Sequence, residues 1–177
     1  MKKITIRLLS LILMISSLLT VTSFAAVPNH RDAHIPPSNT KLLPEDQPYS
    51  RITRQTLERG RLLSSCFMSI SNVGYGKIGI LSDTRAHVDV DAMYVTIYLD
   101  RYDEESGKWL NQKVYSYEFT PEDTTDGKLH ARLISFEVTD QPSGYYYRLW
   151  GYHEVEKGGE WETLRGSTDG VLITNTP

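Results

Sequence analysis

The residue pattern that comes nearest to catalytic chemistry is His153-Glu154. A histidine followed by glutamate opens the helical zinc-protease signature, which needs a second histidine four residues after the first. That position holds Lys157, and the surrounding residues favour a strand rather than a helix, so the signature fails. His87, Asp89 and Asp91 alternate. On a strand they would share a face and could hold a metal, but the segment reads more simply as a polar loop leading into a strand. Asp103-Glu104-Glu105 and Glu122-Asp123 offer the oxygen ligands that calcium takes, without a defined ligand spacing, and read as solvated turns. His30 and His34 fall in a proline-rich stretch that does not pre-organise ligands. There is no Gly-x-Ser-x-Gly elbow, no phosphate-binding glycine loop and no cysteine-based metal motif. Carboxylates are plentiful, yet nothing singles out a pair for glycoside hydrolysis. The expectation is a chain with no catalytic residues, no metal and no cofactor.

What the sequence does concentrate is aromatic side chains that could bind. Gly144-Tyr-Tyr-Tyr-Arg-Leu-Trp-Gly-Tyr-His-Glu-Val155 is long, β-prone and preceded by the turn signal Asp140-Gln-Pro-Ser-Gly144. Side chains on a strand alternate between faces. One set is Tyr145, Tyr147, Leu149, Gly151, His153 and Val155; the other is Tyr146, Arg148, Trp150, Tyr152 and Glu154. The second set carries the charges, so the first turns inward. Gly151 is then expected where a large neighbouring side chain approaches the backbone. Ala92-Met-Tyr-Val-Thr-Ile-Tyr-Leu-Asp-Arg101 alternates as cleanly, with Met93, Val95, Ile97 and Leu99 inward and Tyr94, Thr96, Tyr98 and Asp100 outward. The candidate binding residues are therefore Tyr94, Tyr98, Arg148, Trp150, Tyr152 and Trp161, with Arg165 alongside. Aromatic rings on a rigid sheet give large contact area at low entropic cost, which suits a sugar ring or a protein surface. Two plainer readings compete: cross-strand pairing that stiffens the sheet, or a face covered by Tyr49 to Arg59.

These residues need strands to position them. Seven candidates follow one another at sandwich-like spacing: Leu62–Ser71, Lys77–Ala86, Ala92–Arg101, Trp109–Phe119, Leu129–Thr139, Gly144–Val155 and Glu160–Thr174. Gly158-Gly159 turns the last hairpin, and Ser167-Thr-Asp-Gly170 interrupts the last strand. Pro142-Ser-Gly144 followed by Tyr147 resembles the approach to strand F of fibronectin type III and related sandwiches. There a tyrosine hydroxyl closes back onto the preceding turn. The resemblance makes Tyr147 the corner residue, with Tyr145 as the alternative. It implies an all-β fold: a single immunoglobulin-like antiparallel β-sandwich of about seven strands. In order the candidates read as strands A, B, C, C′, E, F and G, and in sandwiches of this type C′, C, F and G share a sheet, which places the third, fourth and seventh candidates with the sixth.

From Arg59 to Ile173 the chain also resembles a family of small secreted Gram-positive bacterial proteins with an uncharacterised domain. The likeness rests on Ser69-Ile70 ahead of Gly74-Tyr-Gly76, on Tyr145-Tyr-Tyr-Arg148 with Gly151 and His153, and on Ser167-Thr-Asp-Gly170. It implies no activity.

The ends of the chain read differently. Lys2 and Lys3, an apolar run from Leu8 to Val21 and the small residues around Ala25 form a secretory signal peptide over residues 1–25. Residues 26–60 hold five of the eight prolines and few large apolar side chains, and predict a flexible linker whose end coils into a short helix or lies along the sandwich. Residues 61–177 are the sandwich. Loss of the signal removes three basic residues and no acids, which takes the formal charge from −3 to −6. An acidic domain is a poor partner for nucleic acid or anionic lipid, and no segment after the signal is long and apolar enough to span a membrane. The single cysteine, Cys66, excludes an internal disulfide and reads as a buried small hydrophobe, with a bond between chains as the other reading. The expectation is a secreted, non-enzymatic binding module for a glycan or protein. The alternatives are a structural or self-associating extracellular protein and a secreted hydrolase.

Overall fold

A computed structural model of the chain describes residues 36–56 and 60–176. The signal peptide, His30 and His34 lie outside the described residues. Among the described residues nine strands form two antiparallel sheets that pack face to face. The first sheet has the order β1 (Tyr49–Gln55), β2 (Leu63–Gly74), β3 (Lys77–Ala86), β6 (Ala131–Val138). The second has the order β5 (Lys108–Phe119), β4 (Ala92–Asp103), β7 (Tyr145–Lys157), β8 (Glu160–Ser167), with β9 (Val171–Ile173) pairing the start of β7.

The core lies where alternation puts it. Met93, Val95, Ile97 and Leu99 of β4 are fully buried, as are Tyr147, Leu149 and Val155 of β7. Val95, Ile97, Leu99, Tyr147 and Leu149 share one core cluster with Met68 and Ile70 of β2, Ile78 and Ile80 of β3, and Ile134 and Val138 of β6, while Met93 and Val155 join a second cluster with Leu62, Leu63, Val90 and Leu129. Each such side chain contributes roughly 1.5–3 kcal/mol before entropy is subtracted. A bulge between Leu63 and Ser65 shifts the parity of β2, so that Leu63 and Cys66 both face inward. The Tyr147 hydroxyl donates to the Pro142 carbonyl at 3.1 Å, which is the corner closure expected of it. Gly158 and Gly159 both have positive φ and turn the β7–β8 hairpin.

Two expectations change. Tyr49–Gln55, read as the end of a linker, is a full edge strand registered on β2 from Tyr49 opposite Ser71 to Gln55 opposite Ser65. Its side chains are mostly exposed and polar, so it carries little hydrophobic signal. Its place comes from the backbone ladder of β2. The approach to Gly151 comes from backbone rather than from a large side chain: a Cβ there would sit 2.1 Å from the Thr96 carbonyl oxygen on β4.

Candidate binding face

The register between strands assembles the outer face of the second sheet. Tyr94 stands opposite Glu154, Thr96 opposite Tyr152, Tyr98 opposite Trp150, and Asp100 opposite Arg148. On the other side of β7, Trp150 faces Ser167, Tyr152 faces Arg165 and Glu156 faces Trp161. The sequence-predicted residues therefore do share one face, and they interact. Tyr98 stacks on Trp150 with ring centroids 3.9 Å apart, and Tyr94 stacks on Trp161 at 5.3 Å. Trp150 meets Tyr152 edge-on at 6.0 Å. The Arg165 guanidinium lies 4.9 Å over the Tyr152 ring. Burial raises the pKa of the Tyr94 phenol, and the carboxylates of Glu118, Glu156 and Glu154 push it the same way.

Exposure divides this set and corrects the expectation that all six residues meet solvent. Trp150 keeps 5% of its surface, Tyr152 3% and Arg148 1%. Trp150 lies under the Tyr98 ring, and Tyr152 under the Arg165 guanidinium. These residues back the face. Tyr94, Tyr98 and Trp161 are half-buried, and Arg165 and Glu118 are exposed. Val114, opposite Tyr98 on β5, is 50% exposed and extends the apolar surface.

Arg148 has a different environment. Its Nε and Nη2 donate to Asp100 Oδ2 at 3.1 and 3.0 Å, and Asn111 donates to the other carboxylate oxygen at 3.1 Å. Its Nη1 donates to the Pro37 carbonyl at 2.8 Å and to the Thr40 hydroxyl at 2.5 Å. The Trp109 ring lies 4.5 Å from the guanidinium carbon. Burial lowers the Arg148 pKa, and the bond and charge of Asp100 oppose that shift. The segment 36–43 thus straps this end of the face. Lys41 N donates to Asp169 Oδ1, Leu43 N donates to the Gly170 carbonyl, and Gly170 N donates back to the Lys41 carbonyl. Sequence reasoning missed Asp100, Trp109 and the strap. A clue was present: Asp100 and Arg148 are opposite charges among the outward residues of two neighbouring strands.

The remaining chemical candidates settle into local roles. His153 lies on a strand, fully buried, with Nδ1 2.6 Å from the Thr84 hydroxyl. Burial lowers its pKa from 6.5 to about 4, so it is neutral at physiological pH. Asp91 accepts from Gly158 N at 2.7 Å, and Asp89 pairs with His130 at 3.3 Å. Asp103 accepts from the backbone and hydroxyl of Ser106. Asp123 accepts from Thr120 N at 2.8 Å and caps the short 3-10 turn Pro121–Asp123. No group of three or more histidine, cysteine, aspartate or glutamate residues placed to hold a metal occurs among the described residues. No helix among them is long and apolar enough to cross a membrane. Cys66 is buried, and burial pushes its thiol up to about 11.

Fold and face together define a two-sheet antiparallel β-sandwich with a stacked aromatic outer surface. The chain belongs to a family of unknown function (DUF6147), whose model matches residues 43–171. The match takes in β1, ahead of the point at which the sequence resemblance began. No curated protein matches the chain.

Proposed function

We propose that this protein is a secreted, non-enzymatic binding module whose ligand, a glycan or a protein, meets the outer face of the second sheet. The reading of residues 1–25 as a signal peptide supports secretion. The resemblance to small Gram-positive secreted proteins and to immunoglobulin-like sandwiches, which commonly serve as binding scaffolds, points the same way. The observation that carries the proposal is the pair of stacks Tyr94–Trp161 and Tyr98–Trp150, side by side on one rigid sheet. Tyr94, Tyr98 and Trp161 are the contact residues; Trp150, Tyr152 and Arg148 hold them in place. A stack fixed in advance costs little further entropy when a ligand ring or side chain lies on it.

Edge-to-edge self-association is the weaker alternative. The outer strand β5 carries a bulge where Leu99–Asp100 pairs with Lys113–Asn111. Gln112 and Asn111 side-chain amides donate to the Leu110 and Lys113 carbonyls. Bulges and self-capped carbonyls blunt an edge against pairing with another strand.

Tryptophan emission separates the two ligand classes. Purified protein is titrated with soluble cell-wall and host polysaccharides, and in parallel used to capture surface proteins. A saturable shift with a polysaccharide, lost in Trp161→Ala, supports a glycan. A captured protein, lost in the same variant, supports a protein ligand. Binding that survives Trp161→Ala and Tyr98→Ala removes this face from the account.

A further inference from the structure

We propose, taking the outer face of the second sheet as the contact surface, that the partner is a protein and that a basic side chain of it, arginine foremost, lies on the Tyr94–Trp161 end of that face between Glu118 and Glu156. Tyr94 and Trp161 stack with ring centroids 5.3 Å apart. Glu118 on β5 stands opposite Tyr94, and Glu156 on β7 stands opposite Trp161. Glu154, also opposite Tyr94, adds a buried carboxylate to the two. Among the described residues no lysine, arginine or histidine forms an ion pair with Glu118 or Glu156. The Tyr94 phenol, raised in pKa first by burial, is pushed further the same way by all three carboxylates, so their negative potential converges on this ring.

The opposite end of the same face shows what fits a ring set beside a carboxylate. There the Arg148 guanidinium lies 4.5 Å from the centre of the Trp109 ring and donates to Asp100 at 3.1 and 3.0 Å. Between the two ends, Arg165 lies 4.9 Å over the Tyr152 ring. A guanidinium is planar, rests on an aromatic face and turns its N–H groups outward to a carboxylate. Tyr94, Trp161, Glu118 and Glu156 repeat the ring and carboxylate of the Arg148 site, and a partner supplies the cation. Lysine meets the same need less fully, with its stem along the rings and only a point charge at the carboxylates.

Charge favours a polypeptide over a sugar here. A neutral sugar ring takes water from the carboxylates without bringing an opposite charge, and an anionic polymer is repelled by them. A basic polypeptide brings the charge and also suits the remainder of the face. Val114 on β5 stands opposite Tyr98 and is 50% exposed, which makes an apolar shelf. Tyr98 follows Tyr94 along β4 on the same face, at a distance of about 13 Å for the rise of a strand. A segment with an arginine and an apolar side chain at that separation covers both ends.

The test titrates the chain from Ala26 into labelled synthetic peptides that carry arginine and leucine at that separation in a glycine–serine background, and follows fluorescence anisotropy. Matched peptides carry lysine or glutamine in place of the arginine, and chitosan oligomers present amines on a sugar. The arginine peptide is expected to bind, the lysine peptide more weakly and the glutamine peptide not at all, with the arginine complex weakened as salt rises from about 50 to about 300 mM. Glu118→Gln, Glu156→Gln should lower the affinity about fivefold or more. Glu104→Gln, Glu105→Gln removes the same charge at the exposed β4–β5 hairpin and should leave binding unchanged. No binding of the arginine peptide at low salt, or equal loss in the two double variants, overturns the proposal. Chitosan binding that depends on Glu118 and Glu156, where the peptides fail, overturns it in favour of an amino sugar. Equal binding of the arginine and glutamine peptides, lost in Trp161→Ala, overturns the basic partner and leaves the face as the contact surface. Binding indifferent to Trp161→Ala and to Glu118→Gln, Glu156→Gln overturns both.

Discussion

At the scale of single residues, the interior polar groups set the limits on stability. Arg148 is a buried cation whose bonds divide between Asp100 and the strap. Removing it leaves the Asp100 carboxylate buried without its partner, a change that costs about 3–5 kcal/mol. Arg148→Ala should lower the urea midpoint accordingly, and Arg148→Lys should recover only part, because an ammonium cannot reproduce the two-pronged bond to Asp100. His153 gives the molecule an acid limit. Its folded pKa of about 4 lies below the ordinary 6.5, so the unfolded chain binds the extra proton between those values. The stabilisation is complete above pH 6.5 and is lost as pH falls toward 4, up to about 3 kcal/mol. Unfolding measured across that window should show the slope in wild type and a flatter one in His153→Leu. The sequence told which way these side chains point but not how deeply they are buried. Alternation reveals a face, whereas burial of Trp150 and Arg148 depends on what lies across them, and the strap comes from far away in the chain.

Among the elements, the strands with hydrophobic alternation were legible and the polar one was not. β4 and β7 carry bulky residues at every second position, and β2, β3 and β6 fill the opposite wall of the core. β1 has only Ser50 buried and Ile52 half-buried, follows a proline-rich stretch, and is recruited by the ladder of β2. Its junction with β2 is fastened from a distance. Glu162 on β8 accepts from the backbone N–H groups of Arg61, Leu62 and Leu63 at 2.8, 3.0 and 2.8 Å. Burial would raise the Glu162 pKa, but those three bonds outweigh it and the net shift is downward. That contribution is present above the ordinary carboxyl pKa and fades as the pH falls through the lowered one. Gly151 is the tightest point between elements. Gly151→Ala would drive a methyl group into the Thr96 carbonyl and force β7 away from β4. We expect a loss of more than about 2 kcal/mol, measured by thermal or urea unfolding, since backbone cannot yield as a side-chain tip can.

For the molecule as a whole, the sandwich is a rigid support, and the proposed function makes the aromatic stacks on its second sheet the contact surface. The acidic charge disfavours polyanionic partners, and the face itself mixes rings with Glu118 and Arg165. The family match over residues 43–171 makes the sandwich, including β1, the shared unit. The measurement that tests the account most directly is tryptophan emission of wild type and of a Tyr98→Ala, Trp161→Ala variant, titrated with the same set of polysaccharides and captured proteins, after equal thermal midpoints have been confirmed. The account predicts a saturable change for wild type with at least one ligand and none for the variant. Matching curves for the two proteins would contradict it.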